Sequence, residues 1–368
     1  MSWDMRILKG PARLLAFGRT ERILENALEK WLVAYPRSIE ATERLIENKP
    51  DVIVSTGPFQ FEQPAVFSSS KKLGIPTIAY IPSWDNVTTK NRMVFDYDGY
   101  IVWNEKVKQE LLDFYPAARS KPVYVVGAPQ FDVFYQDRFH KSREQFCRDQ
   151  NLDPNLPIIV YAIGSPNFLK EHHGAIYLAK KVADGKMGKV QLLVRPHPIH
   201  DNAEMRRLFD KHGPYVHLQE SVNAGKALTK RTQDADQITE WVNTFKHADV
   251  VVNIVSTVTI DAAIFDKPIV NLDFDPQPSR SDQQLVKDVN HLWPHFKPIA
   301  ESGGVWLVND FEEMVCAIET YLKKPKLHRE KRKWMVEHVC GFADGKSGVR
   351  MAEAIRDFVK SQGRSVSE

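Results

Sequence analysis

Ten short runs rich in β-branched and aromatic residues, separated by stretches of helical period, constrain this chain most. DVIVS, PTIAYI, GYIVWN and PVYVVG occupy residues 51–127. PIIVYAIG, QLLVRPHP, YVHLQ, DVVVNIV, KPIVNLD and GGVWLV follow between residues 157 and 308. Strands that alternate with helices require a parallel sheet covered on both faces. The expected fold is therefore α/β, with two doubly wound Rossmann-like domains facing across a cleft. Residues 1–150 form the first domain, opening with a helical region that reaches Asn48, and residues 151–345 form the second. The polar stretch 131–157 reads as the linker, and 346–368 as a C-terminal helix and tail.

A chain of 368 residues, 43% of them hydrophobic, is long enough for two such cores. Its formal charge of +3 is too balanced for bulk nucleic-acid binding, so no nucleic-acid partner is expected and any anion must be held locally. Three widely spaced cysteines exclude a disulfide scaffold and a cysteine-based metal site, which fits a cytoplasmic protein. No apolar run reaches the roughly 18 to 20 residues of a membrane span. The opening MSWDMRILKGPARLLAFGR, residues 1–19, mixes apolar and basic residues and suits either a helix on its own domain or a contact with an anionic membrane face.

Three stretches of the second domain carry chemistry. In NIVSTVTIDAAIFDKPIVNLDFD a buried strand ends at Ser256 and Thr257, either of which can cap the next helix. Its first-turn N–H groups then suit a phosphate, with Asp261 placed to accept from ribose hydroxyls. The same pattern also serves an ordinary capped helix. LLVRPHP places Arg195 and His197 after a strand, where two prolines keep the loop extended. Arg195 offers a fork of donors to phosphate, or to a structural carboxylate, and His197 can donate to an anion or lie near a base. In YAIGSPNF, Gly164 permits close backbone approach and Ser165 can reach an oxygen beyond it. Neither the dinucleotide fingerprint nor a P-loop occurs.

In the first domain, YIPSWDNVTTK gathers Trp84 as a platform for a sugar ring, Asp85 as a candidate base, and Asn86, Thr88 and Lys90 as polar contacts. Glu62 is a competing base, and His295 of the second domain can reach the cleft from its loop. Adjacent His172 and His173 cannot share one helical face, so no metal site is expected there.

Together, VRPHP, the NIVSTVTIDAAIFDKPIV run, SWDNVTTK, VVGAPQFD and DGKSGVRMAEAI resemble bacterial surface-polysaccharide glycosyltransferases of the GT-B fold. That broad group includes CDP-glycerol glycerophosphotransferases and UDP-sugar 2-epimerases. The resemblance implies a nucleotide-sugar substrate with Arg195, Ser256 and Thr257 near its phosphates and Asp261 near its ribose. It also implies a glycan or lipid-linked acceptor, transfer without a metal or other cofactor, and a last helix crossing back to the first domain. The chain departs from the group in showing no strand, glycine loop and helix before Asp51, so the first domain is expected to be reduced or to lack its beginning. A 2-epimerase would carry an early Gly-Thr-Arg-Pro-type loop, which is absent, and a non-catalytic sugar-nucleotide-binding module is the third reading.

Overall fold

The structure is a computed structural model that describes residues 20–33, 35–60, 63–90, 92–93, 95–224, 226, 234–254 and 256–363. It divides into two units, one running to Gly127 and resuming at Gly348, the other spanning Ala128–Ser347. Residues 1–19, and with them the membrane contact expected there, lie outside the described residues.

The first unit begins with α1 (Thr20–Val33) and α2 (Pro36–Asn48). Then come β1 (Ile53–Ser55), α3 (Pro64–Lys72), β2 (Thr77–Tyr80), α4 (Asn86–Thr89), β3 (Gly99–Val102), α5 (Glu105–Phe114) and β4 (Val123–Val125). All strand pairs are parallel, in the order β1-β2-β3-β4. The sheet is covered in part by the chain's last long helix, Ser347–Ser361, whose Ala354 and Phe358 pack on Ile78, Ile101 and Val126. The expected return of the C-terminal helix to the first domain is thus observed. Gly99 makes the approach possible: a Cβ there would lie 2.8 Å from the Phe358 ring.

The second unit carries α6 (Arg143–Asp149), β5 (Ile158–Ala162), α7 (His172–Ala183), β6 (Gln191–Arg195), α8 (Asn202–Phe209), β7 (Val216–Leu218) and α9 (Ala235–His247). It continues with β8 (Val250–Ile254), α10 (Val258–Ile264), β9 (Ile269–Leu272), α11 (Gln283–His291), α12 (Lys297–Glu301), β10 (Trp306–Val308), α13 (Phe311–Lys323) and α14 (Arg329–Cys340). The Ser347–Ser361 helix is α15. Its sheet is parallel, in the order β10-β9-β8-β5-β6-β7. The winding reverses between β5 and β8, and in such sheets the crevice beyond the strand carboxyl ends at the reversal is the ligand position. Continuous burial of β5 and β8 explains why their sequences show no alternation.

All ten strands fall on the ten apolar runs. The domain boundary does not fall at residue 150, and 131–157 is not a linker. Four phenylalanines in that polar stretch, Phe131, Phe134, Phe139 and Phe146, are buried. Phe134 packs edge-on against Trp241 at 4.8 Å. Arg143 donates to the carbonyls of Pro154, Leu156 and His247 and to Asp249. Those bonds satisfy loop ends at the base of the sheet, so the segment belongs to the second unit. Among the described residues, no helix is long and apolar enough to cross a membrane.

Candidate functional site

Arg195 ends β6 and stands, partly buried, at the mouth of a pocket of about 70 Å³. Pro196, Pro198, Gln219, Glu220, Ser221, Val222, Asn223, Gln237, Glu240 and Trp241 complete the lining, drawn from the carboxyl ends of β6 and β7 and from α9. The guanidinium lies 5.8 Å from the centre of the Phe245 ring. Desolvation pulls the Arg195 pKa down, opposed by the fields of Asp261 and Glu240. Its Nε, buried, has no protein partner among the described residues. A cation in this condition is a strong receptor for an entering anion.

Asp261 lies in α10 and is 3% exposed. Its Oδ2 accepts from the Trp241 indole N–H at 2.9 Å, while Oδ1 has no partner among the described residues. Burial raises its pKa to about 7, against the lowering effects of Trp241 and Arg195. Arg195, Trp241 and Asp261 therefore form one electrostatic group spanning β6, α9 and α10.

Neither Ser256 nor Thr257 caps α10 as the sequence suggests. Thr257 holds the cap position with φ −59° and ψ −22°, helical angles that turn its hydroxyl away from the backbone it would need to reach. Ser256 Oγ is 3.4 Å from the Val258 N–H, a marginal contact. The helix start is fixed from below instead: Asn253 and Asn271 donate to Thr259 Oγ1 at 3.1 and 3.3 Å, all three fully buried. This triad ties α10 to β8 and β9.

The loops after β5 and β6 are joined. His200 Nε2 donates to the Gly164 carbonyl at 3.2 Å. His197 Nδ1 accepts from the Ile199 N–H at 3.2 Å, which leaves its proton on Nε2. Ser165 closes a turn in which its carbonyl accepts from Phe168 and Leu169. Phe168 then meets Trp293 at 5.8 Å, and Trp293 meets His295 at 5.6 Å, so His295 packs within the second unit beside the β5 loop. Gly164, Ser165, Arg195, His197, Ser256, Thr257 and Asp261 all lie at or just beyond the carboxyl ends of β5, β6 and β8.

In the first unit, Asp85 precedes α4 and is fixed by three side-chain donors: Ser83 at 2.5 Å, Asn86 at 3.1 Å and Thr89 at 2.9 Å. Trp84 is only 4% exposed, so its ring is part of the core and offers no sugar platform; an apolar indole next to a strand end is more stable packed than open. Asn86 is buried and Lys90 exposed. Glu62 lies outside the described residues.

Sequence reasoning missed the pocket's far wall, Gln219 to Asn223 with Gln237, Glu240 and Trp241. Gln219 directly after a strand was the available signal. Its amide donates to Thr244 Oγ1 at 2.9 Å, and Gln150 donates to Glu240 at 3.2 Å.

Two parallel-sheet units, the second with a desolvated arginine and a buried acid beyond its strand carboxyl ends, give a fold of the GT-B class. Residues 69–357 match the family described as CDP-Glycerol:Poly(glycerophosphate) glycerophosphotransferase, and the chain belongs to that family. No curated protein matches it by sequence. Among solved structures it is similar to the UDP-GlcNAc 2-epimerase from Methanocaldococcus jannaschii, with a TM-score of 0.56 and 16% identity over 87% of this chain and 80% of that one. The UDP-GlcNAc 2-epimerase from Neisseria meningitidis bound to UDP-GlcNAc gives 0.54 and 15%, covering 87% and 80%. The wall teichoic acid polymerase TagF gives 0.53 and 13%, covering 86% and 74%. At such identities the likeness speaks for the fold alone.

Proposed function

We propose that the protein transfers a glycosyl group from a nucleotide-sugar donor to a hydroxyl of a surface glycan or its lipid-linked precursor. The observation that carries this reading is the Arg195–Trp241–Asp261 group beside the pocket at the strand carboxyl ends. In it, Arg195 receives the diphosphate with Ser256 and Thr257 beside it, His197 donates from Nε2, and Asp261 Oδ1 takes a ribose hydroxyl. Charge developing on the leaving diphosphate is then met by preorganised donors, and the reading assigns no step to a metal. Asp85, held by three donors, is the proposed base for the acceptor hydroxyl. The enzyme would work in the cytoplasm at the inner membrane face. Ile23, Leu24 and Trp31 on α1 and Ile39 and Ile46 on α2, all more than half exposed, support that placement.

The family match favours a second reading, transfer of glycerophosphate. The two differ in the bond broken. Glycosyl transfer releases a nucleoside diphosphate, whereas glycerophosphate transfer cleaves the diphosphate and releases a nucleoside monophosphate. A thermal-shift screen of UDP-, CDP-, GDP- and dTDP-linked compounds identifies the donor. Chromatography of the spent nucleotide then decides the reaction. Diphosphate formed only with acceptor present supports the first reading, monophosphate the second. An isomerised donor without acceptor would establish an epimerase and overturn both.

A further inference from the structure

Between β5 and β8 the sheet's backbone pairing ends at Ala162 opposite Asn253. Beyond that point β5 leads into the Gly164–Ser165 loop, where the Gly164 N–H lies outside the ladder. The Gly164 N–H donates to the carboxyl of Glu171, the residue preceding α7, which is 1% exposed. The side chain thus holds the start of the loop that follows β5, beside the reversal point. Close approach depends on Gly164, where a Cβ would stand 3.3 Å from Glu171 Oε1. The second oxygen, Oε2, is buried without a protein partner among the described residues, as is the Tyr161 hydroxyl on β5.

We propose that Glu171 is a positioning residue for the anionic donor: it holds the Gly164–Ser165 loop at binding distance, and when ionised its charge opposes the incoming diphosphate. This rests on the donor reading above. The geometry is supported by energetics. Burial raises the Glu171 pKa to about 8, outweighing the lowering by the backbone N–H groups of Gly164 and Ile254. An anion bound in the crevice favours the neutral form further, so donor binding above that pH takes up a proton. The other titratable groups about this corner are Tyr161 on β5, His172 at the start of α7, His200 on the β6 loop, Arg195 on β6 and Asp261 on α10. The side chains that β8 and β9 turn toward the two nearby glycines, Ile254 and Leu272, are apolar.

The test is calorimetric titration of UDP and CDP from pH 6.5 to 9.5 into the wild type, Glu171→Gln and Arg195→Ala. Wild-type Kd should rise toward about tenfold per pH unit above the Glu171 pKa, the slope of one linked proton. Glu171→Gln, a neutral isostere, should bind as the wild type does at pH 7 and lose that rise, while Arg195→Ala should bind weakly throughout. Parallel wild-type slopes in the Gln variant overturn the proposal but leave the donor reading standing. No binding of either nucleotide at any pH overturns both. Should the Gln variant fail to fold, wild-type titrations at pH 8.5 in buffers of different ionisation enthalpy replace it: net proton uptake supports the proposal, and none refutes it.

Discussion

The indole N–H of Trp241 donates to Asp261 Oδ2 at 2.9 Å, joining the wall of the pocket to the helix that follows β8. Among the described residues it is the one hydrogen bond that this carboxyl, 3% exposed, accepts. Trp241→Phe keeps most of the ring volume against Phe134 and removes only the donor. Leaving a buried acceptor unsatisfied costs about 1–3 kcal/mol. Urea unfolding should show a loss in that range, together with a smaller thermal shift by the donor. An unchanged midpoint would mean that the bond contributes nothing.

The two buried acids set a pH dependence with a definite sign. The Asp261 pKa rises from 3.8 to about 7 and that of Glu171 from 4.5 to about 8, so the folded protein binds these protons more tightly than the unfolded chain. Stability from each is full below the unfolded pKa and is lost as pH rises through the folded one. His247 acts oppositely: burial lowers its pKa from 6.5 to about 4, so its contribution is lost as pH falls below 6.5. The net decline should therefore be clearest from pH 6.5 to 8, at no more than about 1.4 kcal/mol per pH unit for each acid. Denaturant midpoints across that window should fall in the wild type, fall less steeply only up to about pH 7 in Asp261→Asn, and flatten between pH 7 and 8 in Glu171→Gln.

Strands were legible because a fully buried parallel strand is written as an uninterrupted apolar run, and DVVVNIV or QLLV can be little else. The candidate site was legible in its placement alone: Arg195 and Asp261 lie where the sequence puts them, at or after strand carboxyl ends. What could not be read depends on side chains meeting across long separations. Trp241 finds Asp261 twenty residues later, and Arg195 lies over the ring of Phe245 on a different element. The caps failed for a local reason, since Thr257 is already helical. Polarity misled at 131–157, where charged residues conceal four buried phenylalanines, and at Trp84, where a polar loop conceals a core indole.

Arg195 is a specific rather than a generic cation. Its planar fork is desolvated and lies over Phe245, a setting that a lysine ammonium, compact and strongly hydrated, cannot reproduce. Arg195→Ala and Asp261→Ala should both diminish the thermal shift given by whichever nucleotide-linked compound stabilises the wild type. Arg195→Lys should restore less than half of the lost shift. Full shifts in both alanine variants would remove the donor from this crevice.

Phe358 is fully buried against the first unit's sheet beside Gly99, although it lies on the chain's last long helix. The four strands of that sheet are short, three or four residues each, and bury little surface of their own. Such a sheet depends on the helix that covers it. Phe358→Ala removes the largest side chain of that cover and should cost about 3–5 kcal/mol. The loss should be confined to the first unit, because β5 to β10 make their own core among residues 159–321. Hydrogen exchange read by mass spectrometry distinguishes this from global unfolding: peptides of β1 to β4 should lose protection while those of β5 and β8 keep it. Gly99→Ala tests the same contact from the other side, since its added methyl group meets the Phe358 ring, and it should expose the same peptides. Equal deprotection of both sheets in either variant would show that the units do not unfold separately.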